Sequence, residues 1–198
     1  VDIKDSNHQE GLFRLPLVGH RLSLHPLEAT DLESMAPFFA QTESLYYYLP
    51  DTLLPRNVRQ VQTMMDDWND GRENFVFSCR LQNKTIGLLT LSALDPISGN
   101  AELGIMIAQE EARGKGYAAE ALGLIMDYAF GELRLHRLYV RVAPDNLPSL
   151  KLFQGLGFVQ EGRIRETVRR GHGYMDLLLF GLLEDEFRRM RAKLASKA

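Results

Sequence analysis

The spacing of apolar and polar positions divides the chain into short strands and amphipathic helices. Residues 21–35, RLSLHPLEATDLESM, read as a strand running into a helix, with Thr30 and Glu33 at capping-box spacing. Pro37 is placed to kink or end that helix. Residues 41–55 hold Tyr46, Tyr47, Tyr48, Pro50 and Pro55 without periodicity and read as a loop. Val58, Val61, Met65 and Trp68 then recur at helical spacing. Phe75 to Leu81 and Ile86 to Leu91 are two strands of a hairpin turning at Asn83-Lys84, and a surface loop from Asp95 to Asn100 leads to a third strand, Glu102 to Ala108. After Arg113-Gly114-Lys115-Gly116 the period changes, and Leu122, Ile125, Met126 and Ala129 share one helical face. A strand over 136–146, a short helix over 147–158 and a hairpin ending near Gly181 come next. The last segment is helical in composition, acidic first and basic last, which matches the helix dipole.

Composition narrows what such a chain can be. At 198 residues and 45% hydrophobic content it has the size of one α/β domain with a proper core. We expect an N-terminal arm over 1–19, a domain over 20–183, and a C-terminal helix over 184–198. The net charge of −3 and pI near 6.0 argue against direct nucleic-acid binding. The arm carries Asp2, Lys4, Asp5 and Glu10 and no long apolar run, so neither a signal peptide nor a membrane span is expected there. A single cysteine, Cys79, excludes an internal disulfide framework and fits a reducing, cytoplasmic setting. Alternating with Phe75, Phe77 and Leu81, it reads as a packed core thiol.

The candidate chemistry centres on residues 101–118, AELGIMIAQEEARGKGYA, where an apolar strand meets two glycines and then a helix. Residues without a Cβ let the backbone approach a ligand closely, and the helix start presents unsatisfied N–H groups and a positive dipole end to an anion. Three readings compete on spacing alone. Spacing argues against a Walker loop, because Gly116 rather than Ser or Thr comes after Lys115 and no glycine stands five residues before Gly114. Gly114-x-Gly116-x-x-Ala119 matches the loose dinucleotide fingerprint, but five mostly polar residues separate it from the strand. The third reading is a plain strand-to-helix turn.

Together with the strand, helix and hairpin downstream of it, the stretch closely resembles the GNAT superfamily of N-acetyltransferases. The resemblance rests on a strand, a [QR]-x-x-G-x-[GA] turn and a helix, then a strand ending near Asn146, and a helix closing in Leu156-Gly157-Phe158. Within that superfamily, ELGIMIA, RGKGYAAEAL and Asn146-Leu147-Pro148-Ser149 resemble the branch that acetylates ribosomal-protein N-termini and spermidine. The resemblance implies a mixed, twisted sheet flanked by helices, with acetyl-coenzyme A held between two splayed parallel strands and no metal. It implies an acyltransferase acting on a primary amine, either a small molecule or a peptide N-terminus, and often working as a homodimer. One position departs from the motif: Glu111 stands where the family keeps Gln or Arg, so phosphate binding falls to backbone N–H groups of Gly114, Gly116, Tyr117 and Ala118 with Arg113 and Lys115.

Acetyl transfer sets what else the site must hold. A primary amine, pKa about 10, must lose a proton, and a departing thiolate, pKa about 8.5, gains from receiving one. The resemblance points to Glu102 as the proton acceptor; its alternative is a solvated residue at a strand start. It places Ile105, Met106 and Ile107 beside the cofactor, with a backbone N–H of that strand as oxyanion donor and Asn146 bonding the pantetheine arm from the other side. Many family members keep a tyrosine where this chain has Phe153, which cannot donate a proton. Ser149 is the remaining candidate acid, or else a helix-start residue. Tyr46, Tyr47 and Tyr48 either line the acceptor site or pack at their loop. Arg163, Arg165 and Arg169 form a solvated strand face or meet an anionic partner, and His172 reads as a turn residue, not a metal ligand. Two further functions stay open at this level: a non-catalytic acyl-coenzyme A sensor or interaction module, and a nicotinamide-dependent dehydrogenase.

Overall fold

A computed structural model describes residues 14–40, 45–48 and 56–196. Among these, eight strands and five helices run in the order β1 (Leu17–Val18), β2 (Leu22–Pro26), α1 (Ala29–Phe39), α2 (Val58–Trp68), β3 (Phe75–Leu81), β4 (Lys84–Asp95), β5 (Asn100–Ile107), α3 (Tyr117–Gly131), β6 (Arg137–Val142), α4 (Leu147–Gly155), β7 (Val159–Arg170), β8 (Gly173–Leu183) and α5 (Glu184–Ala195). The strands form one sheet in the order β1-β2-β3-β4-β5-β6-β8-β7. All neighbours are antiparallel except β5 and β6, which are parallel and joined by the crossover through α3.

Period-2 alternation decides which side chains go to which face. Ala101 and Leu103 of β5, with Leu138, Val140 and Val142 of β6, point to the layer under α3 and α5, where Leu122, Ile125, Met126, Ala129, Phe180 and Phe187 complete the core. Met106 and Leu88 point the other way, into a second cluster with Leu32, Met35 and Phe39 of α1 and Val61 and Met65 of α2. Each fully buried Leu or Met contributes about 1.5–3 kcal/mol, so both helix layers are held chiefly by apolar burial. One polar tie reinforces the α1 layer. Asp31, 3% exposed, accepts from Arg80 Nε (3.0 Å) and Nη2 (2.9 Å), from Thr85 Oγ1, and from the Glu28 backbone N–H (2.9 Å).

That tie corrects the expected helix start. The capping box is Glu28 with Asp31 rather than Thr30 with Glu33, because Asp31 is already anchored to the sheet. Helix α1 runs through Pro37 to Phe39. The β3–β4 hairpin turns at Gln82-Asn83, both at positive φ (49° and 64°), one residue earlier than the spacing suggests. Strand β6 stops at Val142, short of the expected 146. The expected arm is partly inside the sheet: Leu17 and Val18 pair with Leu24 and Ser23, and Leu17 is 1% exposed, while residues 1–13 lie outside those described. At the other end, α5 packs on α3 through Phe187 against Phe130 (5.1 Å between centroids) and Arg191 Nη2 against Asp127 (3.0 Å).

Candidate active site

Strands β5 and β6 pair only at their beginnings, Asn100 with Arg137, Ala101 with Leu138 and Glu102 with Tyr139. Each then keeps its outer partner: β5 stays paired with β4 up to Ile107, and β6 with β8 up to Val142. The two strands therefore part beyond Glu102, and backbone N–H and C=O groups that would otherwise pair across the gap face into it. Such a gap suits a narrow, amide-bearing chain.

Glu102 sits at the point of divergence, on the face shared with α1 and α2. It is not a solvated strand-start residue. Its two carboxylate oxygens accept from Arg141 Nε and Nη2, each at 2.8 Å, and its side chain is 18% exposed. The same bonds, first of all, raise the Arg141 pKa above the ordinary value. Tyr139, opposite Glu102, carries the Arg137 guanidinium 5.0 Å from its ring centre. Burial raises its phenol pKa, with the nearby Glu102 charge adding to the effect. Sequence reasoning missed both Arg141 and Tyr139. A signal for them exists, since Arg137, Tyr139 and Arg141 alternate with Leu138, Val140 and Val142 and so share a single polar face.

The glycine turn does not come directly after β5. A 3-10 turn over Glu110–Ala112 stands between, and it redirects Arg113. The Arg113 Nε donates to the Ile107 carbonyl (2.9 Å) and its Nη2 to the Ala108 carbonyl (3.3 Å), with the guanidinium 5.9 Å from the Phe38 ring centre. Arg113 thus closes the end of β5 with part of its guanidinium, while the residue as a whole stays exposed beside the turn. Gly114 and Gly116 are both left-handed, at φ 71° and 82°, a conformation that disfavours residues with a Cβ. A Cβ on Gly114 would meet nothing within 4 Å, so that side of the turn is open. Gly116 is the N-cap of α3 and has no capping side chain, so no side chain of its own competes for the helix-start N–H groups. Tyr117 and Ala118 supply the next two backbone N–H groups, and Lys115 is exposed beside them. Glu111 is exposed and stands 3.9 Å from Lys84. The geometry fits a phosphate group at the N-terminal end of α3.

Across the gap, α4 begins at Asn146, whose Oδ1 accepts from the Ser149 backbone N–H at 3.3 Å. The Asn146 oxygen is thereby used as a helix cap. Its amide N–H₂ is left to meet a ligand, and Ser149 is half-buried in the first turn. Phe153 is 4% exposed and packs edge-on against Phe158, 5.3 Å between centroids. Of the three loop tyrosines, Tyr48 is partly buried and packs edge-on against Phe38 (5.7 Å) beside the α1–α2 core. Tyr46 and Tyr47 stack edge-on at 4.9 Å, and Arg170 Nε donates to the Tyr46 carbonyl at 3.0 Å. The Tyr47 pKa is raised by burial and by the charge of nearby Asp145, so this loop lies beside the residue preceding Asn146.

The charged hairpin is mostly self-contained. Arg163 pairs with Asp176, while Arg165, Arg169 and His172 are exposed. Among the described residues no group of His, Cys, Asp or Glu could hold a metal, and no helix is long and apolar enough to cross a membrane. The mostly antiparallel sheet also removes the dehydrogenase reading, since a dinucleotide fold needs a run of parallel βαβ units.

Comparison with known proteins agrees with this geometry. Residues 21–159 match the family model described as an acetyltransferase (GNAT) domain. An uncharacterized N-acetyltransferase, p20, of Bacillus licheniformis is 29% identical over 174 residues, 86% of this chain and 97% of that protein. The spermidine N-acetyltransferase of Vibrio cholerae, solved in complex with CoA and spermine, superposes with a TM-score of 0.76 at 26% identity, covering 85% of this chain and 98% of that one. RimJ of Mycobacterium smegmatis, solved with CoA-disulfide, shares the fold with a TM-score of 0.75 at 21% identity, covering 91% of each chain. The chain belongs to the GNAT acetyltransferase family.

Proposed function

We propose that this GNAT acetyltransferase transfers an acetyl group from acetyl-coenzyme A to a primary amine borne by a small molecule or a peptide N-terminus. One observation carries the reading: the parallel strand pair parts immediately after Glu102 and Tyr139, beside a left-handed glycine turn that opens α3. When bound, acetyl-coenzyme A supplies a thioester carbon already activated toward an amine. Everything else is the work of this chain. The first turn of α3, with Gly114, Gly116, Tyr117 and Ala118, receives phosphate through backbone N–H groups, and Lys115 adds positive charge. The gap between β5 and β6 orients a linear arm, with Leu103 to Ile107 on one side and the Asn146 amide on the other.

Glu102 is the proton acceptor for the incoming amine. The bidentate contact with Arg141 uses two of about four lone-pair sites on the carboxylate, so two stay available to an amine N–H or a bridging water. Arg141 holds the carboxylate in place while that happens. Ser149 is the proton source for the leaving thiolate. Tyr46 and Tyr47, braced by Arg170 and Asp145, flank the acceptor entrance. A cytoplasmic setting and pairing of two copies belong to the same proposal.

Phe153 supports a second reading, a sensor that binds the acyl donor without efficient transfer, because no phenol stands at that position. The test runs calorimetry with coenzyme A first, then free-thiol release from acetyl-coenzyme A across peptides, polyamines, amino sugars and aminoglycosides, with products read by mass spectrometry. Thiol release matched by an acetylated amine supports transfer. Binding with no release across the panel supports the sensor, and no binding removes both.

A further inference from the structure

Arg21 stands immediately before β2 and next to the glycine turn, and both its backbone and its side chain are held there. Its backbone N–H donates to Glu120 Oε1 (2.7 Å), its Nε to Glu120 Oε2 (2.8 Å) and its Nη1 to the Lys115 carbonyl (2.9 Å). Its guanidinium lies 4.7 Å from the Tyr117 ring centre, and Nη2 is 3.4 Å from where a Cβ on Gly116 would stand. Glu120, 8% exposed and in the first turn of α3, spends its oxygens on residues 21 and 22, accepting also from the Leu22 backbone N–H (3.3 Å). Burial alone would raise the Glu120 pKa, but these bonds outweigh it and hold the carboxyl below its ordinary value.

We infer that Arg21 and Glu120 are a positioning pair for the phosphate cradle, an inference that rests on the coenzyme A reading above. Two physical steps lead there. In a trans peptide the C=O and the following N–H point in opposite directions. Fixing the Lys115 carbonyl on Arg21 therefore turns the Gly116 N–H away from the pair, orienting the first donor of the helix start. The second step is electrostatic. An unpaired carboxylate in the first turn of α3 would oppose a phosphate at that end, and Arg21 neutralises it within a salt bridge. The pair acts beside Arg113, part of whose guanidinium is held by the β5 carbonyls.

The test compares the full chain with Arg21→Ala, Glu120→Gln and the double variant. Calorimetry is run with coenzyme A and with pantetheine, which has the arm but no phosphate, and amide exchange is followed at the start of α3 in the ligand-free protein. Arg21→Ala should weaken coenzyme A about tenfold to a hundredfold, the scale of a lost charge-assisted contact, leave pantetheine unchanged, and speed exchange over residues 116–119. Adding Glu120→Gln to Arg21→Ala should recover part of the affinity by removing the unpaired charge. Should Arg21→Ala not fold, Arg21→Lys keeps the charge without the fork and should show a smaller loss of the same kind. A folded Arg21→Ala with wild-type affinity, an equal loss for pantetheine, or a double variant weaker than Arg21→Ala would each overturn the pair's role. Wild-type protein that fails to bind coenzyme A would instead remove the cofactor reading on which it rests.

Discussion

Replacing Glu102 by Gln removes one charge with almost no change of shape, and the structure sets how large the effect should be. Arg141 is about half-exposed, so the Glu102–Arg141 pair contributes at most about 1 kcal/mol to folding. The variant should stay folded, with a thermal midpoint lowered by a few degrees at most. Turnover should respond quite differently, because the loss is bounded by the fraction of acceptor amine that is already neutral. An α-amine of pKa about 8 is roughly one-tenth neutral at pH 7, whereas an alkyl amine of pKa about 10.4 is neutral in about one molecule in 2,500. If Glu102 accepts the proton, kcat at pH 7 should fall about tenfold for a peptide N-terminus and about 10³-fold for an alkyl amine. The deficit should shrink about tenfold per pH unit until the amine pKa is reached. Steady-state rates from pH 6.5 to 10, with acetyl-coenzyme A saturating, read this directly, and the size of the deficit also reports the acceptor class. A deficit that stays constant across the whole range would assign Glu102 to holding Arg141 and not to proton transfer.

Three further outcomes rest on particular contacts. Asp31→Asn leaves the largely buried Arg80 with the half-solvated Glu28 carboxylate at 3.2 Å as its counter-charge and His25 Nδ1 at 3.5 Å, and should lower stability by about 2–4 kcal/mol in urea unfolding. Burial raises the Asp31 pKa, but its bonds from Arg80, Thr85 and the Glu28 backbone bring it below the ordinary value; the wild-type advantage should therefore be full above pH 4 and vanish as pH falls through the lowered value, and an advantage independent of acid would contradict it. Gly116→Val must hold a β-branched residue at φ 82° with its Cβ 3.4 Å from Arg21, so it should lose about 1–2 kcal/mol of stability together with coenzyme A affinity, both measurable by melting with and without ligand. Ser149→Ala should lower kcat by up to about 10²-fold with coenzyme A affinity unchanged, whereas Phe153→Tyr should restore part of it; an unaltered kcat at every pH would leave Ser149 as a helix-start residue only.

How far the sequence discloses these features depends on how far apart the interacting residues lie. Strand β5 and helix α3 are readable because Ala101, Leu103 and Ile107 on one side, and Leu122, Ile125, Met126 and Ala129 on the other, keep the periods of the elements themselves. Gly114 and Gly116 are readable because left-handed backbone selects glycine locally. The Arg21–Glu120 pair is not readable, since its members stand 99 positions apart and neither breaks a local pattern. The contacts of Arg113 with the end of β5 are not readable either, because the 3-10 turn that redirects it, Glu110–Ala112, is too short to leave a period. Spacing likewise favours Thr30 over Glu28 as a cap, because the contacts that hold Asp31 come from Arg80 and Thr85 on the sheet.

Strand β6 shows how the remaining ambiguity resolves. Its polar face, Arg137, Tyr139 and Arg141, looks like an ordinary solvated strand when read alone. In the fold, the apolar layer of α1 and α2 covers the neighbouring strands through Val76, Leu88 and Met106 and includes no described residue of β6. The face of β6 beside that layer is thus left for polar groups, and it begins where β6 separates from β5. A carboxylate at that point would be poorly solvated if it stood alone, 18% exposed against a helix-covered sheet. Arg141 supplies its counter-charge through the strand alternation of β6, two residues beyond Tyr139, which faces Glu102 across the parallel pair. Charge at the mouth of the gap is therefore a product of strand register: moving β6 by one residue would turn Arg141 into the α3 core and leave Glu102 unpaired.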